Sequence, residues 1–244
     1  MSATLTIYKR ELNSYFSQPT AYAIIVVFLL ASMAFTFTFG RFVQTGDASL
    51  EWGFFFWHPW VFMLLVPAVG MRLWSDEQRN GTIELLGTFP MTIWNAILGK
   101  YLAAVTVWIA ALALTFPIVI TVNYLGSPDN GAILSGYIGS LLVCGTFLAV
   151  TMLISAFTRD QVVCLIVSTI VCALMVFCGY DDFTREFSKA TSPGIVEALT
   201  ALSVWDHSRS LDRGLLRLQD LIWFGSIIFT CLLGTSAILS AKRS

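Results

Sequence analysis

Long stretches of apolar residues alternate with short charged clusters along this chain, and the lengths of those stretches predict its architecture. A bilayer core about 30 Å thick is crossed by roughly 20 helical residues at about 1.5 Å each. Six stretches approach that length with no charged residue save Lys100 near the start of the third: residues 21–39, 54–71, 96–124, 132–157, 162–178 and 221–239. The third is long enough to tilt, and Pro117 inside it predicts a kink, because proline removes one backbone hydrogen bond and crowds the preceding turn. The fifth is short, so its far end is expected to sit below the membrane surface. The predicted fold is therefore an all-α integral membrane protein with six transmembrane helices.

Residues 1–20 carry a different pattern. Leu5, Tyr8, Leu12, Tyr15 and Phe16 recur at helical spacing opposite Lys9, Arg10, Glu11 and Asn13, and Pro19 closes the segment. This predicts an amphipathic interfacial helix along the inner leaflet; the alternative is an ordinary frayed terminus. The first apolar stretch is read as a retained span rather than a cleaved signal, since it is too long for a signal core and no A-x-A site follows it.

Composition agrees with the pattern. With 57% hydrophobic and 12% charged residues and a mean hydropathy of +0.76, a chain of 244 residues has more apolar surface than one soluble core can bury. The net charge of -1 offers no basic face, so no nucleic-acid partner is expected. On the side holding both termini, Lys9, Arg10, Arg72, Arg79, Lys100, Arg159, Lys242 and Arg243 outnumber Glu11, Asp76, Glu77, Glu84 and Asp160; on the other side acids outnumber bases. By the positive-inside bias both termini are cytoplasmic. Trp52, Trp57, Trp60 and Tyr22 fall near predicted membrane boundaries, where amphipathic rings prefer to sit.

The polar island from Arg72 to Thr92 stands out between two apolar stretches. Arg72, Asp76, Glu77, Arg79 and Glu84 are too costly to hold together in hydrocarbon, so the segment is expected in water, as a handle for a soluble partner. Asn80, Gly81 and Thr82 offer a turn and a cap, after which Ile83, Leu85, Leu86 and Phe89 can line a short helix that Pro90 ends. The alternative is a hairpin that merely happens to be charged. On the other side, residues 179–220 contain Ile195, Val196, Leu199, Leu202, Val204, Trp205, Leu211, Leu215 and Leu216 at roughly helical intervals. They predict short re-entrant helices that close the outer end of a pathway, with Pro193, Gly194 and Gly214 as breaks. A solvated cap without a gating role is the competing reading.

Several chemistries lack their parts. No G-x-x-x-x-G-K-[ST] occurs; Gly99-Lys100 has Trp94 where the first glycine belongs. The chain cannot hydrolyse ATP by a P-loop. The centres of the spans hold no charged residue to titrate or coordinate, which argues against a secondary transporter. There is no H-E-x-x-H and no G-x-S-x-G, and no cofactor or metal site is expected on this chain. His58, before Pro59 in an aromatic cluster, is read as interfacial. Cys144, Cys164, Cys172, Cys178 and Cys231 fall in predicted spans as small hydrophobes. Ser135, Gly136, Gly139 and Ser140 give small residues at the start of the fourth span, read as packing within the subunit, as are Ala103, Ala104, Ala110, Ala111 and Ala113 in the third. The short turn Thr158 to Gln161 makes spans four and five antiparallel neighbours; its Arg159 and Asp160 are either a secondary cytoplasmic contact or a simple positive-inside anchor.

The run Glu77-Gln78-Arg79-Asn80-Gly81-Thr82-Ile83-Glu84-Leu85-Leu86, with Pro90, Thr92 and then Ile97-Leu98-Gly99-Lys100-Tyr101-Leu102-Ala103, resembles the intracellular segment of ABC-2 type transporter permeases. Leu202-Ser203, His207, Ser210, Arg213-Gly214-Leu215-Leu216 and Asp220-Leu221 resemble the outer segment before the last span, most closely in gliding-motility-associated permease subunits. A departure is Asp206-His207-Ser208, where relatives carry a bulky residue after the histidine. The resemblance implies a type V exporter-like permease domain over residues 21–244, with residues 72–94 as the cytoplasmic coupling segment. In such a protein Glu77, Arg79, Gly81, Thr82, Glu84, Leu85 and Leu86 contact the ATPase, while Trp205, His207 and Gly214 are candidates for the outer gate. It implies two P-loop ATPase subunits that bind ATP and Mg, and a second permease copy or a related membrane subunit, one with a large periplasmic domain among the options. The setting would be the bacterial cytoplasmic (inner) membrane and the cargo amphipathic, to which the phenylalanines Phe28, Phe35, Phe37 and Phe39 are suited. A non-transporting mechanotransmission or scaffold subunit, and a passive channel, remain the alternatives.

Overall fold

The computed structural model describes residues 3–40, 49–82, 92–180, 183–185 and 200–242, and every regular element among them is helical. The first is α1 (Ala3–Ser17), and α2 (Pro19–Ala34) starts on Pro19, whose missing N–H would have no intrahelical partner there. A wide π turn, Phe35–Phe39, extends α2. A single 3-10 turn, Phe55–Trp57, leads into α3 (His58–Gly70), and after Met71 the chain continues as α4 (Arg72–Arg79). Then come α5 (Ile93–Ala113), α6 (Phe116–Leu125), α7 (Asn130–Phe157), α8 (Gln161–Phe177), α9 (Val204–Asp212) and α10 (Leu218–Ala241).

Five helical stretches are long and apolar enough to cross a membrane: Pro19–Phe39, Phe55–Arg79, Ile93–Leu125, Asn130–Phe157 and Leu218–Ala241. The sixth expected span forms α8, which at 17 residues is shorter than these. Pro117 does more than kink the third stretch. It sits in the first turn of α6, and the helix breaks at Leu114 and Thr115 just before it.

α7 is the central helix, packing against α3, α4, α5, α8, α9 and α10. Its small residues let neighbours come close. A methyl group on Gly136 would lie 2.6 Å from the Phe55 ring, and one on Gly139 would lie 2.9 Å from Leu211 Cβ. Ser135 donates to the Leu211 carbonyl at 2.7 Å, and Ser140 bonds His58 Nδ1 at 2.6 Å. The small-residue stretch thus serves packing within the subunit. His58, expected near the membrane interface, is buried within the protein among Phe28, Phe54, Phe55 and Phe62. In α5, Ala103, Ala104 and Ala111 are buried as the same reading requires, whereas Ala110 and Ala113 are not. The five cysteines are buried and free.

α1 packs along the start of α5, with Ile7 against Gly99, Thr4 bonded to Asn95 and Tyr8 to Thr106. Its buried face is rotated from the expected one. Ile7 is at its centre and Leu5 is exposed, while Leu12, Tyr15 and Phe16 do pack on the core.

Candidate functional site

The polar island begins as a helix, not a loop. α4 continues the apolar α3, with Leu73, Trp74, Ser75 and Gln78 buried against α7 and α8. Its polar residues are almost all engaged. Gln78 Nε2 donates to the carbonyls of Ser155 at 2.9 Å and Ala156 at 2.7 Å, and Lys242 Nζ donates to Gln78 Oε1 at 2.7 Å and to the Ala156 carbonyl at 2.8 Å. These donors satisfy carbonyls in the last turn of α7 that have no partner within the helix, and the lysine complements the negative end of its dipole. Asp76 accepts from Gln161 Nε2, tying α4 to the start of α8, and Arg72 donates to Gln18 Oε1 at 3.0 Å.

Glu77 faces the other way, toward Lys100 of α5. Lys100 Nζ lies 3.0 Å from Glu77 Oε1, 3.5 Å from Glu11 Oε1 and 5.2 Å from the centroid of the Trp74 ring. Burial works to raise the Glu11 carboxyl, but Lys100 and then Arg10 outweigh it and hold it below the ordinary glutamate range.

The α4 helix ends in a Schellman motif. The Thr82 N–H donates to the Glu77 carbonyl at 3.0 Å and the Gly81 N–H to Gln78 at 3.4 Å, with Gly81 in the left-handed region at φ 68°. Asn80, Gly81 and Thr82 therefore form the anticipated turn. Arg79, at the last helical position, is exposed. Glu84, Leu85 and Leu86, with the rest of 83–91, lie outside the described residues.

Arg159 is exposed in the link between α7 and α8, and Asp160 has a structural task. Its Oδ1 accepts from the Val162 N–H at 2.7 Å and the Val163 N–H at 3.5 Å, capping α8. An aspartate just before an apolar run is a capping signal readable in the sequence, and Asp129 caps α7 in the same way.

At the far end of α3, Trp205 is buried, its ring 5.0 Å from Phe56, 5.8 Å from Trp60 and 5.6 Å from Tyr180. His207 projects elsewhere, with Nδ1 2.6 Å from Asp220 Oδ1 and its ring stacked 4.3 Å from Trp223. Gly214, at φ 81°, ends the turn after α9, where a methyl group would lie 3.2 Å from Ala132. The three gate candidates thus belong to one capped helix and its turn, but touch different neighbours. Much of the rest of 179–220 lies outside the described residues. Among the described residues no three His, Cys, Asp or Glu side chains converge to hold a metal.

Five membrane-length stretches, the buried central α7 among them, with a charged helical extension at one end, define a multi-pass membrane component. The family described as ABC-2 family transporter protein matches residues 5–192, and the chain belongs to it. Members are the membrane component of ABC transporters, not catalytic themselves, and normally work with an ATPase subunit. A search of curated proteins found no match.

Proposed function

We propose that this chain is the permease subunit of an ATP-driven transporter, in which two P-loop ATPases bind ATP and Mg and dock on residues 72–94. In this reading Glu77, Arg79, Gly81, Thr82, Glu84, Leu85 and Leu86 carry the contact, and Arg159 adds a secondary one. The observation that carries it is the capped end of α4: a helix continuous with an apolar span delivers a glycine turn at its polar tip. A soluble partner pressing on that turn acts on a lever already packed against α7 and α8.

The chain pairs with a second copy or a related membrane subunit in the bacterial inner membrane, both termini cytoplasmic and α1 along the inner leaflet. The 202–221 stretch supports a relation to gliding-motility permeases, and Trp205, His207 and Gly214 then belong to the outer closure. The apolar span linings suit an amphipathic cargo.

Glu84→Lys reverses the charge in the proposed contact and is expected to reduce ATPase copurification; unchanged recovery overturns the docking assignment. In vesicles, ATP-dependent movement of a labelled lipid or solute supports transport, whereas ATPase activity without flux supports a mechanotransmitting or scaffold subunit.

A further inference from the structure

Two recesses of opposite character meet at the Trp205 end, around the consecutive residues Asp212 and Arg213. The first, about 190 Å³, is lined by Glu51, Asp129 and Asp212 with the hydroxyls of Ser49 and Ser127. The second, about 220 Å³, holds Arg209, Arg213 and Arg217 beside Asp206. Arg213 lines both.

The first recess has oxygens to spare. Glu51 Oε1 takes the Arg213 Nε–H at 3.0 Å, and Asp129 Oδ1 takes the N–H groups of Gly131 and Ala132; in each carboxylate the second oxygen takes no hydrogen bond from a described residue. Asp212 is 8% exposed, lines the recess, and no hydrogen bond or ion pair from any described residue reaches its carboxyl. A carboxyl largely removed from water and without a protein donor is poorly solvated, and a cationic donor entering the recess offsets that loss. The volume exceeds that of a bare ion, and no three described metal-ligating side chains converge there. An ammonium group, with three donors and an organic tail, fits both facts. The neighbouring arginines suit an anion, and a guanidinium fork matches the geometry of a phosphate.

Position in the fold points to a lipid. The recesses open beside the starts of α7 and α10, at the ends of two membrane-length helices, which is where lipid headgroups lie. We propose that this end of the protein binds a zwitterionic phospholipid headgroup of the phosphoethanolamine type, its ammonium in the Asp212 recess and its phosphate against Arg213 and Arg217. The site needs no ATPase partner, so it stands or falls independently of the proposed coupling.

The test is native mass spectrometry of the full chain released from mixed micelles containing phosphatidylethanolamine and phosphatidylglycerol. Retention of phosphatidylethanolamine is expected to exceed that of phosphatidylglycerol about tenfold, and Asp212→Asn, which is isosteric, to remove most of that preference, as loss of one charge-assisted bond implies. Arg217→Ala, at an exposed position, is expected to weaken both lipids. Because burial and then Glu51 push the Asp212 carboxyl up to about 8, retention should rise from pH 6 to pH 8.5, with Asp129, Arg209 and Arg213 the other charges facing it. Displacement of the bound lipid by millimolar O-phosphoethanolamine supports the headgroup assignment. Equal retention of the two lipids, or a preference that survives Asp212→Asn, overturns it; so does binding of O-phosphoethanolamine without any lipid retained, which assigns the site to a free solute.

Discussion

The ammonium of Lys100 lies 3.0 Å from the Glu77 carboxylate and, at 3.5 Å, also reaches Glu11, so a single lysine joins α1, α4 and α5. Its side chain is only 6% exposed, and the two glutamates are 18% exposed each. Lys100→Met would leave two partly buried carboxylates facing one another without their shared cation, at a cost of about 3 kcal/mol. The thermal midpoint in detergent, followed by tryptophan fluorescence, should fall by several degrees. Adding Glu77→Gln to the same variant should recover much of the loss. An unchanged midpoint for the single variant would mean that the triad contributes nothing.

Gly81 is limited by backbone conformation alone, because a methyl group there would meet nothing within 4 Å while φ is 68°. Gly81→Ala should therefore cost about 1 kcal/mol at the end of α4, and Gly81→Asn less, since asparagine tolerates the left-handed region better. Hydrogen exchange at the Thr82 amide is the readout, and it should quicken in the order Gly, Asn, Ala.

Glycines in the helices should split by their surroundings. Gly136→Ala drives a methyl into the Phe55 ring and should destabilise by about 1–3 kcal/mol, whereas Gly225 in α10 meets nothing within 4 Å. Gly225→Ala should be neutral or mildly stabilising, as alanine is the better helix former. A melting series that ranks the two variants the other way would contradict the packing around α7.

Asp212 gives the chain a pH signature. Burial first, and Glu51 second, raise its carboxyl to about 8 from an ordinary value of 3.8. The folded state then binds more protons than the unfolded one between these values, so this contribution is complete below about 4 and declines as pH rises toward 8. In lipid-free detergent, Asp212→Asn should flatten the stability profile across that window and gain most over wild type near pH 8. A profile equally steep in the variant would remove Asp212 as its source.

The helices were legible because burying a stretch of lipid-facing length leaves a plain record in the sequence. The break before Pro117 was nearly so, since proline both withholds a donor and crowds the turn before it. Less legible was the fold of the charged run. Five ionisable residues between Arg72 and Glu84 suggested water all round, yet Leu73, Trp74 and Gln78 share a buried face, and Lys100, near the start of the next apolar stretch, supplies the counter-charge. That pairing spans more than twenty residues of sequence, and no local pattern announces it. The burial of His58 is hidden for a similar reason: its hydrogen-bond partner, Ser140, comes from another helix.

The run from Phe55 to Arg79, with a turn at Met71, covers 25 residues, roughly 37 Å of helix. Its opposite tips are spoken for by different neighbourhoods: Glu77 and Gln78 by Lys100 and the close of α7, His58 by a cage of phenylalanines. A rod anchored in this way has a place to give between its tips, the turn at Met71 just after Pro67. A displacement imposed near Gly81 is either absorbed at that turn or passed on to the phenylalanine cage, and the Ser140 hydroxyl beside His58 is a natural place to mount a reporter that tells the two apart.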